Sequence, residues 1–288
     1  MLNHYRRPFL FYSLATVIPW LCWFTAGYIS HRANIQPHDS AMILLLGLLG
    51  ISSPALIAIG LMTSDAALAR DILGRLLTLK YVRLRHWMIA LFLTLASLLL
   101  AQAISLMFGY SADQFRLSGH FTFSFGVFPV WLLLIVAPLL EELGWHSYGT
   151  DCLRNRFNLL ATSLIFGLFW GLWHIPLATI EGYYHSNVVA TGPIHSANFL
   201  LSIFPFVLIM NWLYYKTGRN ILITVVFHVC AGYFNEIFAT HPDSKVIQTA
   251  LLTLLAIGLV IKDKAFFLQP EPRHEKDAGQ GPAAWQVS

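Results

Sequence analysis

The chain has 288 residues, 57% of them hydrophobic and only 11% charged, and its mean hydropathy is +0.62. Soluble domains carry about 25% charged residues, so the composition excludes an ordinary soluble fold and points to a lipid bilayer as the chain's principal partner. The balance is basic, with a pI near 9.0, but the basic residues follow the membrane segments and nucleic acid is not needed to explain them.

Crossing the hydrocarbon core takes about 20 consecutive apolar residues. Eight such windows are legible, over 8–29, 41–63, 87–108, 121–142, 158–180, 198–215, 220–239 and 246–262. The fold class expected is all-α, a polytopic membrane protein of about eight transmembrane helices. The first window follows Arg6 and Arg7, yet it is long and lacks a small-residue cleavage pattern, so it reads as a retained span. An even number of spans places both termini on one side. Of the 18 Lys and Arg residues, only Arg32, Arg116 and Lys245 fall on the opposite side. That bias assigns the termini to the cytoplasm.

Between the second and third spans, "SDAALARDILGRLLTLKYVRLR" (64–85) opens with the capping pair Ser64 and Asp65. Leu68, Ile72, Leu76 and Leu79 then recur at helical spacing, with Arg70, Arg75 and Arg83 on other faces. This is an amphipathic helix, lying on the inner leaflet or packed on the bundle's cytoplasmic face. Cys22, Cys152 and Cys230 are far apart and form neither a disulfide framework nor a zinc ribbon. The stretch 181–197, "EGYYHSNVVATGPIHSA", reads as an external loop in which His185 and His195 have no metal-binding spacing. Two units follow: a transmembrane domain over 1–262 and a disordered cytoplasmic tail over 263–288, rich in Pro, Gly and charge.

The informative residues are the polar ones inside apolar runs. Glu141 and Glu142 end the fourth span in "PLLEELGWHSYG", His174 lies in "FGLFWGLWHIPL", and His228 lies in "ILITVVFHVCAGYFNE". Ionisable groups inside a membrane mark functional sites more often than structural ones. Adjacent helical residues point about 100° apart, so one glutamate faces a cavity while the other is held by a neighbour. Glu142 and His146 are i,i+4 and stack on one face; His228 and Asn235 are i,i+7 and share another. A carboxylate and two histidines on three helices form the inventory of a hydrolytic centre, with Glu as base on water and imidazoles as metal or oxyanion partners. Trp131, Trp170, Trp173 and Trp212 read as packing residues, and Glu236 as a solvated helix end. His228 follows Arg219 by nine residues while His174 follows Arg156 by eighteen, a mismatch in depth that "GWHSYGTDCLRNRFN" has to absorb.

"APLLEELGWHSYGTDCLRNRF", "IFGLFWGLWHIPL" and "NWLYYKTGRNILITVVFHV" resemble, in order, the three signature regions of the CPBP intramembrane proteases, EExxxR, FxxxH and HxxxN. That family includes CAAX prenyl endopeptidases and bacteriocin-processing or self-immunity proteins. The likeness covers residues 128–240. It implies that Glu141 activates water, that His174 and His228 are its partners, and that Glu142 is the supporting carboxylate. If a metal such as Zn2+ is used, the ligands implied are Glu141, His174 and His228; a metal-free mechanism is also described for the family. Three positions depart from the pattern. His146 replaces the arginine, Trp170 the phenylalanine and Gly232 the asparagine, with Asn235 or Asn211 as substitutes for the last. The reading is an intramembrane endopeptidase of the bacterial inner membrane, cutting a membrane-associated peptide or protein near the cytoplasmic face. The alternatives are a divergent member acting as a binding, immunity or scaffold protein, and a transporter or proton relay.

Overall fold

The structure, a computed structural model, describes residues 2–123 and 128–270. Its helices are α1 (Pro8–Ser30), α2 (Pro37–Thr63), α3 (Ala66–Leu76), α4 (Leu84–Leu106), α5 (Val130–Gly144), α6 (Thr150–Arg154), α7 (Leu159–Trp173), α8 (Tyr184–Ala190), α9 (Pro193–Lys216), α10 (Ile221–Ile237), α11 (Pro242–Lys262) and α12 (Lys264–Leu268). Among the described residues there is no β-strand, only an isolated antiparallel bridge between Leu117 and Phe238. Seven segments are long and apolar enough to cross a membrane, and α10 is a shorter apolar helix. Seven and one make the eight spans expected. Side chains such as Phe9, Leu84 and Ile261 stand exposed on the outside of the bundle, which is where lipid lies in a chain of this composition.

Helix α1 pairs with α2, α2 lies against α5, and α7 lies against α9. Helix α10 packs on α4, α5 and α9. The α2–α5 contact is close because residue 144 is glycine: a Cβ there would stand 2.4 Å from the Cβ of Pro54.

The fourth span extends well past the point expected. Helix α5 runs into a π-helical turn over Trp145–Gly149 and then into α6, so Val130–Arg154 forms one span of 25 residues. Glu141 and Glu142 therefore sit midway along it, not at its end. The polar string Ser147, Thr150 and Asp151 looks like a loop in sequence but is buried in the bundle, where protein groups replace water as hydrogen-bond partners.

Asp151 explains this burial. Fully enclosed, it lies 3.2 and 3.1 Å from Arg219 Nε through its two oxygens, and 3.4 Å from Arg75 Nη2. Asp71 accepts from Arg75 Nε and Arg219 Nη2, both at 3.1 Å, and from the Tyr5 hydroxyl at 2.5 Å. Tyr215 donates to Asp151 at 2.9 Å. Two carboxylates and two guanidinium groups thus knit the N-terminal segment, α3, α6 and the α9–α10 turn together. In α3, Asp65 caps the N-terminus by accepting from Ala67 N and Leu68 N at 3.0 and 3.1 Å, as its position suggested. Arg75, expected on an outer face, instead points into the bundle and is 8% exposed.

The same knot resolves the depth mismatch. Arg219 is buried, and α10 has only 17 residues, beginning at the buried Ile221. At about 1.5 Å per residue it spans roughly 25 Å, short of the ~30 Å core. It starts below the surface, which brings His228 level with the middle of the other spans. The stretch after 263 opens with the short helix α12, and the tail beyond residue 270 lies outside the described residues.

Candidate active site

The structure brings Glu141, His174 and His228 to the wall of one cavity of about 450 Å³. Glu141 comes from the middle of α5, His174 from the C-terminal end of α7 and His228 from the middle of α10. Gly232, Asn235 and Lys245 line the same space further along.

Glu141 is 5% exposed, and its Oε2 accepts from Trp170 Nε1 at 2.9 Å. Trp170 is thus a site residue as well as a packing one, a correction to the expectation from sequence. An indole can only donate, so it orients the carboxylate and leaves the other oxygen for the cavity.

The two imidazoles are held in defined tautomers. His174 Nδ1 lies 2.6 Å from the carbonyl oxygen of Trp170. A carbonyl only accepts, so Nδ1 carries the proton and a neutral His174 keeps its Nε2 lone pair. His228 Nδ1 lies 2.9 Å from Glu142 Oε1, and this pair too places the proton on Nδ1. Nε2 of each ring is left for the cavity.

Glu142 is fully buried and does not line the cavity. One oxygen holds His228 and the other forms an ion pair with His146 Nδ1, four residues along the same helix face. His146 Nε2 in turn lies 2.9 Å from Asn211 Oδ1. Ser163 Oγ donates to the Leu159 carbonyl at 2.8 Å, so it accepts from Asn211 Nδ2 at 2.9 Å. That fixes the amide with its oxygen toward His146, which must donate from Nε2. With Nδ1 against a carboxylate, both nitrogens of His146 face acceptors, and one proton lies between His146 and Glu142. The two named substitutes for the missing asparagine separate here. Asn211 belongs to this buried chain, away from the cavity. Asn235 lines the cavity, but its amide donates to the Tyr184 hydroxyl at 3.0 Å, two turns of α10 from His228.

Three further expectations are corrected. Residues 181–197 form helix α8 and the first turn of α9 in place of a plain loop, and both His185 and His195 line the cavity. His185 stacks on His174 with ring centroids 5.1 Å apart and planes at 24°; the aromatic run Tyr183–Tyr184 beside it was the available signal. Glu236 is 2% exposed and accepts from Thr122 N and Oγ1 at 3.0 and 2.7 Å, so it is no solvated helix end. The cavity itself is lined from the ends of α5, α7, α9, α10 and α11 that lie opposite the basic loops. The expectation placed the cut near the basic face, whereas this cavity lies in the other half of the bundle.

The donor chemistry of Glu141, His174 and His228 suits zinc. Among the described residues, however, no three His, Cys, Asp or Glu side chains are arranged so as to hold a metal ion. The trio shares a wall without converging on a point.

A helical membrane bundle with a buried carboxylate and two imidazoles on the wall of one internal cavity has the architecture of an intramembrane hydrolase. A family model described as type II CAAX prenyl endopeptidase Rce1-like matches residues 122–234. A CAAX prenyl protease 2 of Methanococcus maripaludis is 33% identical over 272 residues, which cover 93% of this chain and 99% of the relative. The chain belongs to the Rce1-like family of CAAX prenyl endopeptidases and is an intramembrane protease.

Proposed function

We propose that the protein hydrolyses a peptide bond close to the C-terminus of a membrane-anchored protein, a CAAX-type substrate like that in its archaeal relative's name. Glu141 is the general base. One oxygen is held by Trp170 and the other takes a proton from water, whose oxygen adds to the scissile carbonyl carbon. His174, with its Nε2 lone pair, accepts the second hydrogen of that water and aims it. His228, as the imidazolium braced by Glu142, donates from Nε2 to the carbonyl oxygen as negative charge grows there. Glu141 then passes its proton to the leaving amine as the C–N bond breaks. Glu142 and His146 are positioning residues. The membrane is a prokaryotic cytoplasmic membrane with the termini inside, supported by the distribution of Lys and Arg.

The observation that carries this reading is the shared cavity wall: Glu141 singly bound by an indole, facing the same space as two imidazoles whose Nδ1 atoms are already committed. The test uses purified protein in vesicles with a prenylated peptide ending in a CAAX sequence. Wild type should release a C-terminal fragment. Glu141→Gln should lower turnover by about 10²–10⁴-fold with an unchanged melting temperature. A variant as active as wild type would overturn the assignment.

A further inference from the structure

The connection between α3 and α4 carries cations for which the protein supplies no counter-charge. Lys80, Arg83 and Arg85 are exposed, and among the described residues none of them has a carboxylate at ion-pair distance. The acids at this end of the bundle are engaged elsewhere. Asp71 and Asp151 hold Arg75 and Arg219, Asp65 caps α3, and Asp263 pairs with Lys216 at 3.5 Å and accepts from Trp212 at 2.7 Å. Arg85 is also poorly served by its neutral neighbour. Its Nε stands 3.3 Å from Nε2 of the buried His86, while Nδ1 of that ring accepts from Arg83 N at 3.0 Å. An imidazole that accepts at Nδ1 carries its proton on Nε2, so Arg85 and His86 face each other as two donors. Arg83, Arg85 and Lys216 all lie close enough to His86 to act on it electrostatically, which makes the cations one patch.

The same stretch interleaves these cations with exposed leucines. Leu77 and Leu84 are 68% and 76% exposed, and Leu79 stands out beside them. At the rim of a membrane bundle this pattern fits the boundary between acyl chains and headgroups, where apolar side chains enter hydrocarbon and long cationic ones reach phosphate. The surface is also preformed. Asn220 Nδ2 donates to the Thr78 carbonyl at 2.6 Å, and the Tyr81 ring lies on Gly218, where a Cβ would stand 2.5 Å from Tyr81 Cδ2. The connection is thereby fixed on the α9–α10 turn, so little ordering is left to oppose binding. We propose that Lys80, Arg83 and Arg85 form a binding surface for the phosphate groups of acidic phospholipids, at the end of the bundle opposite the cavity. A soluble anion would meet the charges and leave the leucines in water, whereas a lipid satisfies both. The surface is separate from the hydrolytic centre and does not depend on how that centre works.

The test uses the full chain in a neutral detergent, with phosphatidylglycerol or phosphatidylcholine of the same acyl chains added, and counts retained lipid by native mass spectrometry. Wild type should retain phosphatidylglycerol over phosphatidylcholine by about tenfold or more at low salt, and the preference should shrink in about 0.5 M NaCl. Lys80→Gln, Arg83→Gln and Arg85→Gln should each weaken phosphatidylglycerol retention by about fivefold. Arg83→Lys combined with Arg85→Lys should keep most of it, and Arg116→Gln, at the opposite end of the bundle, should leave it unchanged. An unchanged melting temperature in detergent alone shows that each variant is folded. Equal retention of the two lipids by wild type, or an undiminished preference in the protein carrying all three Gln substitutions, would overturn the proposal. Glycerol phosphate competing as well as phosphatidylglycerol at the same concentration would also overturn it and mark the patch as a site for a soluble anion.

Discussion

At residue 146 the chain solves a problem that its departure from the family pattern created. An arginine at that position is permanently charged and offers a planar fork of donors. His146 has only two nitrogens, and the bundle supplies an acceptor for each: Glu142 on one side and Asn211 on the other. The histidine therefore supplies a cation's two donors where they are needed. Gly232 is a different case. The nearest atom to a Cβ built there is Leu134 Cδ2 at 3.7 Å, an ordinary contact, and the residue lines the cavity. Gly232→Asn should therefore fold as well as wild type and add a donor to the wall, raising kcat by about tenfold for one further hydrogen bond to developing charge. Unchanged kinetics with Gly232→Asn would mean that other groups already meet that need. Both substitutions stand out from the motifs in sequence. Only side-chain packing shows that one is compensated and the other leaves open space.

The elements beneath the site are joined by a buried ionic knot as well as by apolar packing of residues such as Leu68, Ile72 and Ile221. Helix α3, for which the inner leaflet and the bundle's cytoplasmic face were both open from sequence, is packed on the bundle and anchored through Arg75, and the tight turn between α9 and α10 is anchored through Arg219, which adopts a left-handed φ of 64°. Tyr214 ties this knot to the site, since its hydroxyl donates to the His146 carbonyl at 2.5 Å and accepts from Arg75. Removing one member of a buried ionic group leaves the others unpaired, so Arg219→Ala should cost about 3–5 kcal/mol, measured by thermal or denaturant unfolding in detergent. The knot also sets a limit on acid stability. Burial raises the Asp71 carboxyl, but Arg219 and then Arg75 more than offset this and hold it below its ordinary value. A group depressed in the folded state stabilises fully above its unfolded pKa of about 3.9 and stops doing so as pH falls through the folded value. Melting temperature should accordingly hold steady down to about pH 4 and fall below it, and Asp71→Asn should flatten that acid limb. From sequence, Asp71, Arg75, Asp151 and Arg219 are ordinary interfacial charges, because their partners lie as many as 148 positions away.

At the scale of the whole molecule, the basic loops and the cavity lie at opposite ends. The positive-inside bias predicts both termini in the cytoplasm, and on that orientation the cavity is approached from the far half of the bilayer. Fusing a green fluorescent protein to the C-terminus should give fluorescent cells, while an alkaline phosphatase fusion at the same point should be inactive. The reverse pattern would invert the molecule and turn the cavity toward the cytoplasm.

The sequence by itself determined that the chain lives in lipid and that about eight helices cross it, and it singled out Glu141, Glu142, His174 and His228 as candidates. Those conclusions rest on local quantities: run length, hydropathy and the cost of burying an ionisable group, each readable within about twenty residues. Tertiary structure alone decided how deep the carboxylates sit, that Trp170 grips Glu141, that α8 carries His185 to His174, and that Lys245 and Glu236 face the cavity. In each case a polar group's surroundings depend on helices distant in sequence. A buried ion pair and a solvated loop charge have the same composition until the chain closes around one of them.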